Sequence, residues 1–404
     1  MKQADLGPLH LVEDDQAMAH LLGFLRDQPV IAIDTEADGF HSYREHVCLI
    51  QITAGEEDFI IDPLAKVDIS GLGEVLADER RIKLFHDSEF DILIMKRDHG
   101  FEFRGLFDTR VAAAVLGSAA PGLASVLDDH FGVKLDKSMQ RSDWSQRPLS
   151  QKQIDYARLD THYLIPLYHE QRASLAERDL TMVLDTECRR LEAIEPPPHE
   201  FKPDEFVRIK GARNLRPQAR TILKDLYILR DRLAQERDVP PFRVIANHTM
   251  LDLAEHRPRT VAGLGEIKGC SGLIRSRYGK EIVDTIEAAL AKEPIRQWPS
   301  APRKPGADYL DEEASELNDR LKQIRKKASD RRSIEAAYLL HRSALARIAT
   351  ARPKDETTLQ KVGQLAPWQM DWFADPLLAC VAKFEADLKA GTALPKGNSR
   401  RRRN

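Results

Sequence analysis

The chain has 404 residues, which at about 100–200 residues per domain leaves room for two to four domains. Hydrophobic residues make up 42% and charged residues 31%, so packed cores are expected, a wholly disordered chain is excluded, and no apolar run approaches the roughly 18 residues of a membrane span. The formal net charge of −3 hides two opposed halves: residues 1–200 carry 21 Lys and Arg against 37 Asp and Glu, and residues 201–404 carry 40 against 27. The asymmetry points either to a basic nucleic-acid-binding part joined to something acidic, or to halves that simply attract one another. The opening stretch MKQADLGPLHLVEDDQ has no basic region followed by an apolar one, so no secretory signal is expected. Cys48, Cys188, Cys270 and Cys380 lie far apart with no CxxC pair, which predicts reduced thiols and a cytoplasmic protein.

In chain order, Val30–Thr35 (VIAIDT) is a β-branched run, and VCLIQIT from Val47 and DFII from Asp58 follow at hairpin-like spacing. A helix is predicted over residues 72–78, and IKLFH from Ile82 reads as another buried strand. Helices are then predicted over 89–98, 109–116, 123–131 and, as one long element, 150–178. Adjacent strands followed by mixed elements imply a mixed sheet with helices packed on it. Two proline-rich breaks, 195–203 and 294–306, read as linkers because proline removes backbone donors and forbids helix. Helical periodicity alone continues beyond the first break, in two modules of about equal length. These are candidate distant repeats, with Ser333 expected where Pro240 or Pro241 stands in the first. The expected domains are 1–195, 205–293 and 307–390, with a basic disordered tail at 391–404.

Chemistry concentrates in the acidic half. Asp34 and Glu36 end the first strand, and residues i and i+2 of a strand share a face, so both carboxylates project together. Like charges held together call for a cation. Asp91 falls in the first turn of a helix that Ser88 can cap. Tyr156 and Asp160 are spaced i, i+4 on one helix face. Each signal alone has a bland reading: a solvated turn, a helix-dipole partner, a structural pair. Together, four carboxylates make an all-oxygen site for two hard divalent ions, Mg2+ or Mn2+, of the kind that supports phosphoryl displacement, with Tyr156 orienting the attacking water.

The segments DTEADGF, HDSEFDI and Tyr156-xxx-Asp160 resemble the DEDD exonuclease superfamily in its tyrosine subclass; the histidine subclass would carry His at 155, where this chain has Asp155. The stretch LDKSMQRSDWSQRPLSQKQIDYARLDTHYLIPLY resembles the ribonuclease D family, and the likeness spans residues 10–200. It implies a ribonuclease-H-like α/β exonuclease domain, a mixed five-stranded sheet flanked by helices. It also implies stepwise 3′→5′ hydrolysis that releases nucleoside 5′-monophosphates. By the same resemblance, Asp34 contacts both metals, Glu36 and Asp160 complete the first site, Asp91 acts through the second or through bound water, and the terminal 3′ hydroxyl bonds near Thr35 or Glu36. RDRLAQERDVPPF and its surroundings are similar to an HRDC domain, a five-helix nucleic-acid-binding module. Residues 308–390 match that pattern more loosely, so the fold expected after the exonuclease domain is two all-α HRDC-type domains.

Arg141, Trp144 and Arg147 near the active site, and Arg275, Arg277 and Lys280 in the first helical module, are candidate RNA contacts. An aromatic can stack on an exposed base, although Trp144 could equally anchor its own loop. Lys322, Arg325, Lys326 and Lys327 form a further basic run. The expected function is a 3′–5′ exoribonuclease maturing tRNA precursors or other structured RNA with a single-stranded 3′ end, as a monomer away from any membrane. The alternatives are the same chemistry on DNA, or a non-catalytic RNA-binding scaffold.

Overall fold

The computed structural model describes residues 6–198, 200–299 and 310–393. The tail from 394 onward and residues 300–306 of the second linker lie outside the described residues.

A six-stranded sheet organises residues 6–192. Its strands are β1 (Leu9–Val12), β2 (Val30–Ala37), β3 (Val47–Ala54), β4 (Glu57–Ile61), β5 (Ile82–Phe85) and β6 (Leu106–Asp108), in spatial order β1-β4-β3-β2-β5-β6. β3 runs antiparallel to β2 and β4, while β1–β4, β2–β5 and β5–β6 are parallel, so the sheet is mixed. It has six strands where five are expected. β1 and β6 are edge strands of four and three residues, too short for alternation to show in the sequence. β3 is buried along all eight residues, as a central strand covered on both faces must be.

The helices of this part are α1 (Asp15–Leu25), α2 (Leu72–Ala77), α3 (Glu89–His99), α4 (Thr109–Val115), α5 (Leu123–Phe131), α6 (Gln151–His162), α7 (Leu164–Glu177) and α8 (Thr181–Glu192). The long helix expected over 150–178 is two helices, α6 and α7, meeting at Tyr163. Pro166 explains the break: it has no N–H to give the His162 carbonyl, and its ring crowds that carbonyl. α6 starts on a capping box in which the Ser150 side chain accepts from the Gln153 backbone and Gln153 reaches back to Ser150. It packs across β2, β3 and β4.

Two helical modules follow. The first has α9 (Pro217–Glu236), α10 (Pro241–Val244), α11 (Asn247–His256), a 3-10 turn at Gly263–Glu266 and α12 (Gly272–Leu290). The second has α13 (Glu312–Arg332), α14 (Ala336–Leu339), α15 (Arg342–Ala351), α16 (Glu356–Gly363) and α17 (Pro367–Lys389). They are repeats in register. α9 and α13 start at 217 and 312, α10 and α14 at 241 and 336, α11 and α15 at 247 and 342, α12 and α17 at 272 and 367. Left-handed residues recur at the same spacing, Asp238 with Ser333 and Arg257 with Arg352. So does an arginine clasp: Arg230 Nη1 donates to the Ile245 carbonyl at 3.2 Å, and Arg325 Nη1 to the Leu340 carbonyl at 2.9 Å. This register corrects the alignment expected for Ser333. Ser333 takes the place of Asp238, and Glu335 and Ala336 take those of Pro240 and Pro241.

The modules differ in attachment. The first has its own core around Ile222, Leu226, Leu253 and Ile282. It meets the sheet domain through the β2–β3 loop, where the Tyr43 hydroxyl donates to Asp231 at 2.9 Å. The second shares one continuous core with the sheet domain, running from Val12 to Ala393, and Trp368 Nε1 donates to Thr186 Oγ1 at 2.8 Å. Among the described residues, no helix is long and apolar enough to cross a membrane, and all four cysteines are free thiols.

Candidate active site

The acidic residues meet where β2, α3 and α6 converge. β2 presents Asp34 and Glu36 from one face, and α6 lies over that face with Tyr156, Ala157 and Asp160 turned inward. One carboxylate oxygen from each of Asp34, Glu36 and Asp160 lies within 4.8 Å of the others. Asp91, in the first turn of α3, stands outside that triplet. It is tied to it by Thr35, whose hydroxyl donates to Asp91 Oδ1 at 2.5 Å.

Electrostatics follow from burial and crowding. Burial first, then the charges of Asp91, Asp160 and Glu36, push Asp34 well above the usual carboxylate range. Burial, then Asp160 and Asp91, push Glu36 up to about 9. Burial lifts Asp91 to about 7 against the bond from Thr35. It lifts Asp160 to about 7 against a hydrogen bond from Tyr156, with Asp91 adding to the rise. Burial and the carboxylates of Asp160, Glu36 and Asp34 push the Tyr156 phenol up as well, so it keeps its proton. Among the described residues, no basic side chain counters these acids. An all-oxygen donor set whose charges repel one another and lack an internal cation fits hard divalent ions such as Mg2+ or Mn2+.

Local structure holds the acids in place through residues that the sequence did not single out. Asp108 caps α4 by accepting from the Arg110 and Val111 amides, and it also accepts from the amides of Asp87 and Ser88 and from the Ser88 hydroxyl. It thereby fixes the turn that launches α3 and Asp91. Ser88 itself does not cap α3: its backbone is helical and its hydroxyl is spent on Asp108. α6 is pinned to β4 by Asp58, which accepts from Thr53 at 2.7 Å and Arg158 at 2.5 Å and lies 2.9 Å from His162 Nδ1. Gln140 hydrogen-bonds the Tyr156 hydroxyl from the loop before α6. No spacing rule marks a loop glutamine or a strand aspartate for these tasks.

Several expected RNA contacts are corrected. Trp144 is 1% exposed and packs with Cys48, Leu49, Ile60 and Ala157, its ring 5.9 Å from that of Tyr156, so it anchors its loop and offers no face to a base. Arg147 has all five N–H donors committed, two to Asp62 at 2.5 and 2.7 Å and three to the carbonyls of Trp144, Gln146 and Cys48. It is a structural clamp with no donor left for phosphate. The Thr35 hydroxyl donates its proton to Asp91 and keeps its acceptor capacity. Arg275 is half-buried over Gly265, where even a Cβ would run into its guanidinium. Arg325 is the clasp of its own module, whereas Lys322 stays exposed with Asp319 2.9 Å away. Arg141, Arg277, Lys326 and Lys327 are exposed, as is Lys280, which pairs with Asp284 at 2.7 Å.

Comparison with known proteins follows the same division. The family described as 3′-5′ exonuclease matches residues 9–176, and the HRDC domain family matches 219–286 and again 315–381. The chain is 32% identical over 302 residues to ribonuclease D of Sphingobium indicum, covering 73% of this chain and 77% of the relative. It is 34% identical over 289 residues to ribonuclease D of Zymomonas mobilis, covering 70% and 73%. The crystal structure of Escherichia coli RNase D, described as an exoribonuclease involved in structured RNA processing, superposes with a TM-score of 0.63 at 26% identity, over 92% of this chain and 98% of that one.

Proposed function

The chain belongs to the ribonuclease D family and is a 3′–5′ exoribonuclease; from that premise we propose that Asp34, Glu36, Asp91 and Asp160 hold two divalent metal ions, Mg2+ or Mn2+, at which RNA is hydrolysed from its 3′ end. The observation that carries this reading is the convergence of Asp34, Glu36 and Asp160 oxygens within 4.8 Å, with Asp91 joined to them through Thr35. When bound, such ions stabilise charge on the reacting phosphate and make water a better nucleophile near neutral pH.

The protein's own groups do the rest. Asp34 would contact both ions, Glu36 and Asp160 would complete the first set of ligands with it, and Asp91 would act through the second ion or through bound water. Tyr156, which keeps its proton, orients the attacking water by a hydrogen bond and does not act as its base. Water adds to the phosphorus of the last phosphodiester and the bond to the 3′ oxygen of the preceding nucleotide breaks. That oxygen leaves as the new 3′ hydroxyl, and the last residue departs as a nucleoside 5′-monophosphate.

The division of labour we infer is an exonuclease domain at 1–195, HRDC domains at 205–293 and 307–390, and a basic tail from 391. The exposed Arg277, Lys280, Lys326 and Lys327 on the helical modules, and Arg141 on the loop before α6, meet the RNA backbone. The substrates are tRNA precursors and other structured RNAs with a free 3′ end, processed in the cytoplasm by a monomer. Matched 3′-labelled RNA and DNA, incubated with Mg2+ with and without chelator, test the reading. Chelator-sensitive release of 5′-monophosphates from RNA is expected. Preference for DNA, or turnover that survives the chelator, overturns it.

A further inference from the structure

Gln51 lies at the centre of β3, is 0% exposed, and among the described residues has no hydrogen-bond partner for either its Nε2 or its Oε1. A buried amide left unpaired forfeits its hydration with nothing in return, so one in a native structure calls for an explanation. Its place in the sheet supplies the reason. Gln51 is directly opposite Asp34 on β2, and residues directly opposite in an antiparallel pair share a face. On its other side it is opposite Ile60 of β4. Along its own strand, Leu49 and Thr53 share that face.

Of these four neighbours, Leu49 and Ile60 are apolar and pack with Trp144 and Ala157. The Thr53 hydroxyl is engaged by Asp58 and Thr161. Asp34 is the remaining polar neighbour, and it is an acceptor. The other acids show a pattern: Asp91 receives the Thr35 hydroxyl, and Asp160 receives a hydrogen bond from Tyr156. Asp34 sits beside an uncommitted side-chain donor, the Gln51 NH2. The carbonyl end of the amide also has a complement in this layer, since the buried Trp144 indole N–H likewise has no partner among the described residues. The last torsion of a glutamine is soft, so the amide can turn without leaving its rotamer.

We infer that Gln51 is a positioning residue for the metal site: its NH2 donates to the rear oxygen of Asp34 and leaves the forward oxygen to the cations. Hydrogen-bonded carboxylate ligands are a general feature of metal sites, and loss of such a partner typically lowers metal affinity by about 10–100-fold. This inference rests on the metal-binding reading of Asp34.

The test uses the full chain and Mn2+ alone. Gln51→Met replaces the amide with an apolar side chain of similar size. Mn2+ affinity, measured by calorimetry without RNA, is expected to fall about tenfold or more, while Tm in EDTA stays level or rises because an unpaired polar group has gone. In an Asp34→Asn background, the same change is expected to have no further effect on Mn2+ affinity. Unchanged Mn2+ affinity in a folded Gln51→Met protein overturns the inference, as does an equal loss in the Asp34→Asn background. The wild type gives a second readout that needs no variant: the Gln51 NH2 resonances are expected to shift, and their hydrogen exchange to slow, on adding Mg2+. Resonances blind to Mg2+ sink the proposal. If the wild type binds no Mn2+, or Asp34→Asn binds it equally well, the metal-site reading itself fails. If only Gln51→Met is silent, the failure is confined to Gln51.

Discussion

Two groups of acids in the sheet domain behave in opposite ways. Asp58 and Asp62, at and just beyond β4, are 1% and 6% exposed, about as buried as Asp91 and Asp160 at 6% and 8%. Burial would raise Asp58, but hydrogen bonds from His162, Thr53 and Arg158 outweigh it and hold Asp58 below the usual range. Burial is likewise outweighed at Asp62, by Arg147 and the amides of Leu64 and Ala65. Asp34, Glu36, Asp91 and Asp160 have no basic partner, hydroxyl and amide donors alone do not offset their burial, and all are raised. Burial therefore does not mark a site in this protein. What marks it is burial of acids for which the fold has brought no cation, and the difference predicts opposite consequences for mutation.

The largest effect belongs to the unpaired group. Asp34→Asn should lower turnover of 3′-labelled RNA by about 10²–10³ or more while Tm in EDTA holds or rises, because one repelling charge is gone. Normal turnover in the folded variant would dissolve the distinction. The paired group should break differently. Asp58→Ala strands Arg158 and His162 against the sheet, and by the usual cost of breaking a buried pair should lose about 3–5 kcal/mol in urea unfolding. A loss under about 1 kcal/mol would mean that the clasp on α6 is idle.

A pH titration of stability separates the groups without mutation. Asp58 and Asp62 have lowered folded values, so their contribution is present above the unfolded value near 4 and disappears as pH falls through the folded ones. The unpaired acids have raised folded values, near 7 for Asp91 and Asp160 and near 9 for Glu36. The folded chain then holds more protons than the unfolded one above pH 4, so stability in EDTA should fall as pH rises from about 4, through 7, and level off above about 9. Mg2+ at a hundred times its Kd should restore about 2.7 kcal/mol at pH 8. A flat EDTA curve between pH 5 and 9 would contradict the raised values.

The smallest effect sharpens the comparison at its edge. Lys280 and Asp284 form an ion pair in open solvent, at 86% and 56% side-chain exposure. Lys280→Ala should leave Tm unchanged, since exposed pairs contribute little, but should reduce the salt slope of RNA binding by about one. An unchanged slope would remove Lys280 from the RNA surface.

Much of this was legible in the sequence. The strands VIAIDT and VCLIQIT, the i, i+2 pair Asp34 and Glu36, and the i, i+4 pair Tyr156 and Asp160 are local spacings, and a strand or helix converts a local spacing into a shared face. The break at Tyr163 was also in the sequence, since Pro166 forbids a continuous helix, and the expectation of one long helix passed over it. The edge strands β1 and β6 were not legible, because three or four residues carry no period. Trp144 and Arg147 misled for another reason. An aromatic and an arginine beside a catalytic motif look the same in sequence whether they face RNA or the interior, and only the fold shows Trp144 in the core and Arg147 with every donor used.

The sequence by itself set the order of the modules, offered the helical units as candidate repeats and marked the acids that share a face, the last because each pair is a spacing within one element. The tertiary structure decided which acids go unpaired. Asp58 meets Arg158 and His162 about a hundred residues along the chain, whereas Asp34 meets other acids and, across one strand, an uncommitted amide. Pairing depends on which side chains the fold brings together from distant elements, and no local pattern encodes that. It also decided how the two repeats are used: one keeps a core of its own, while its twin surrenders its apolar face to the catalytic sheet domain.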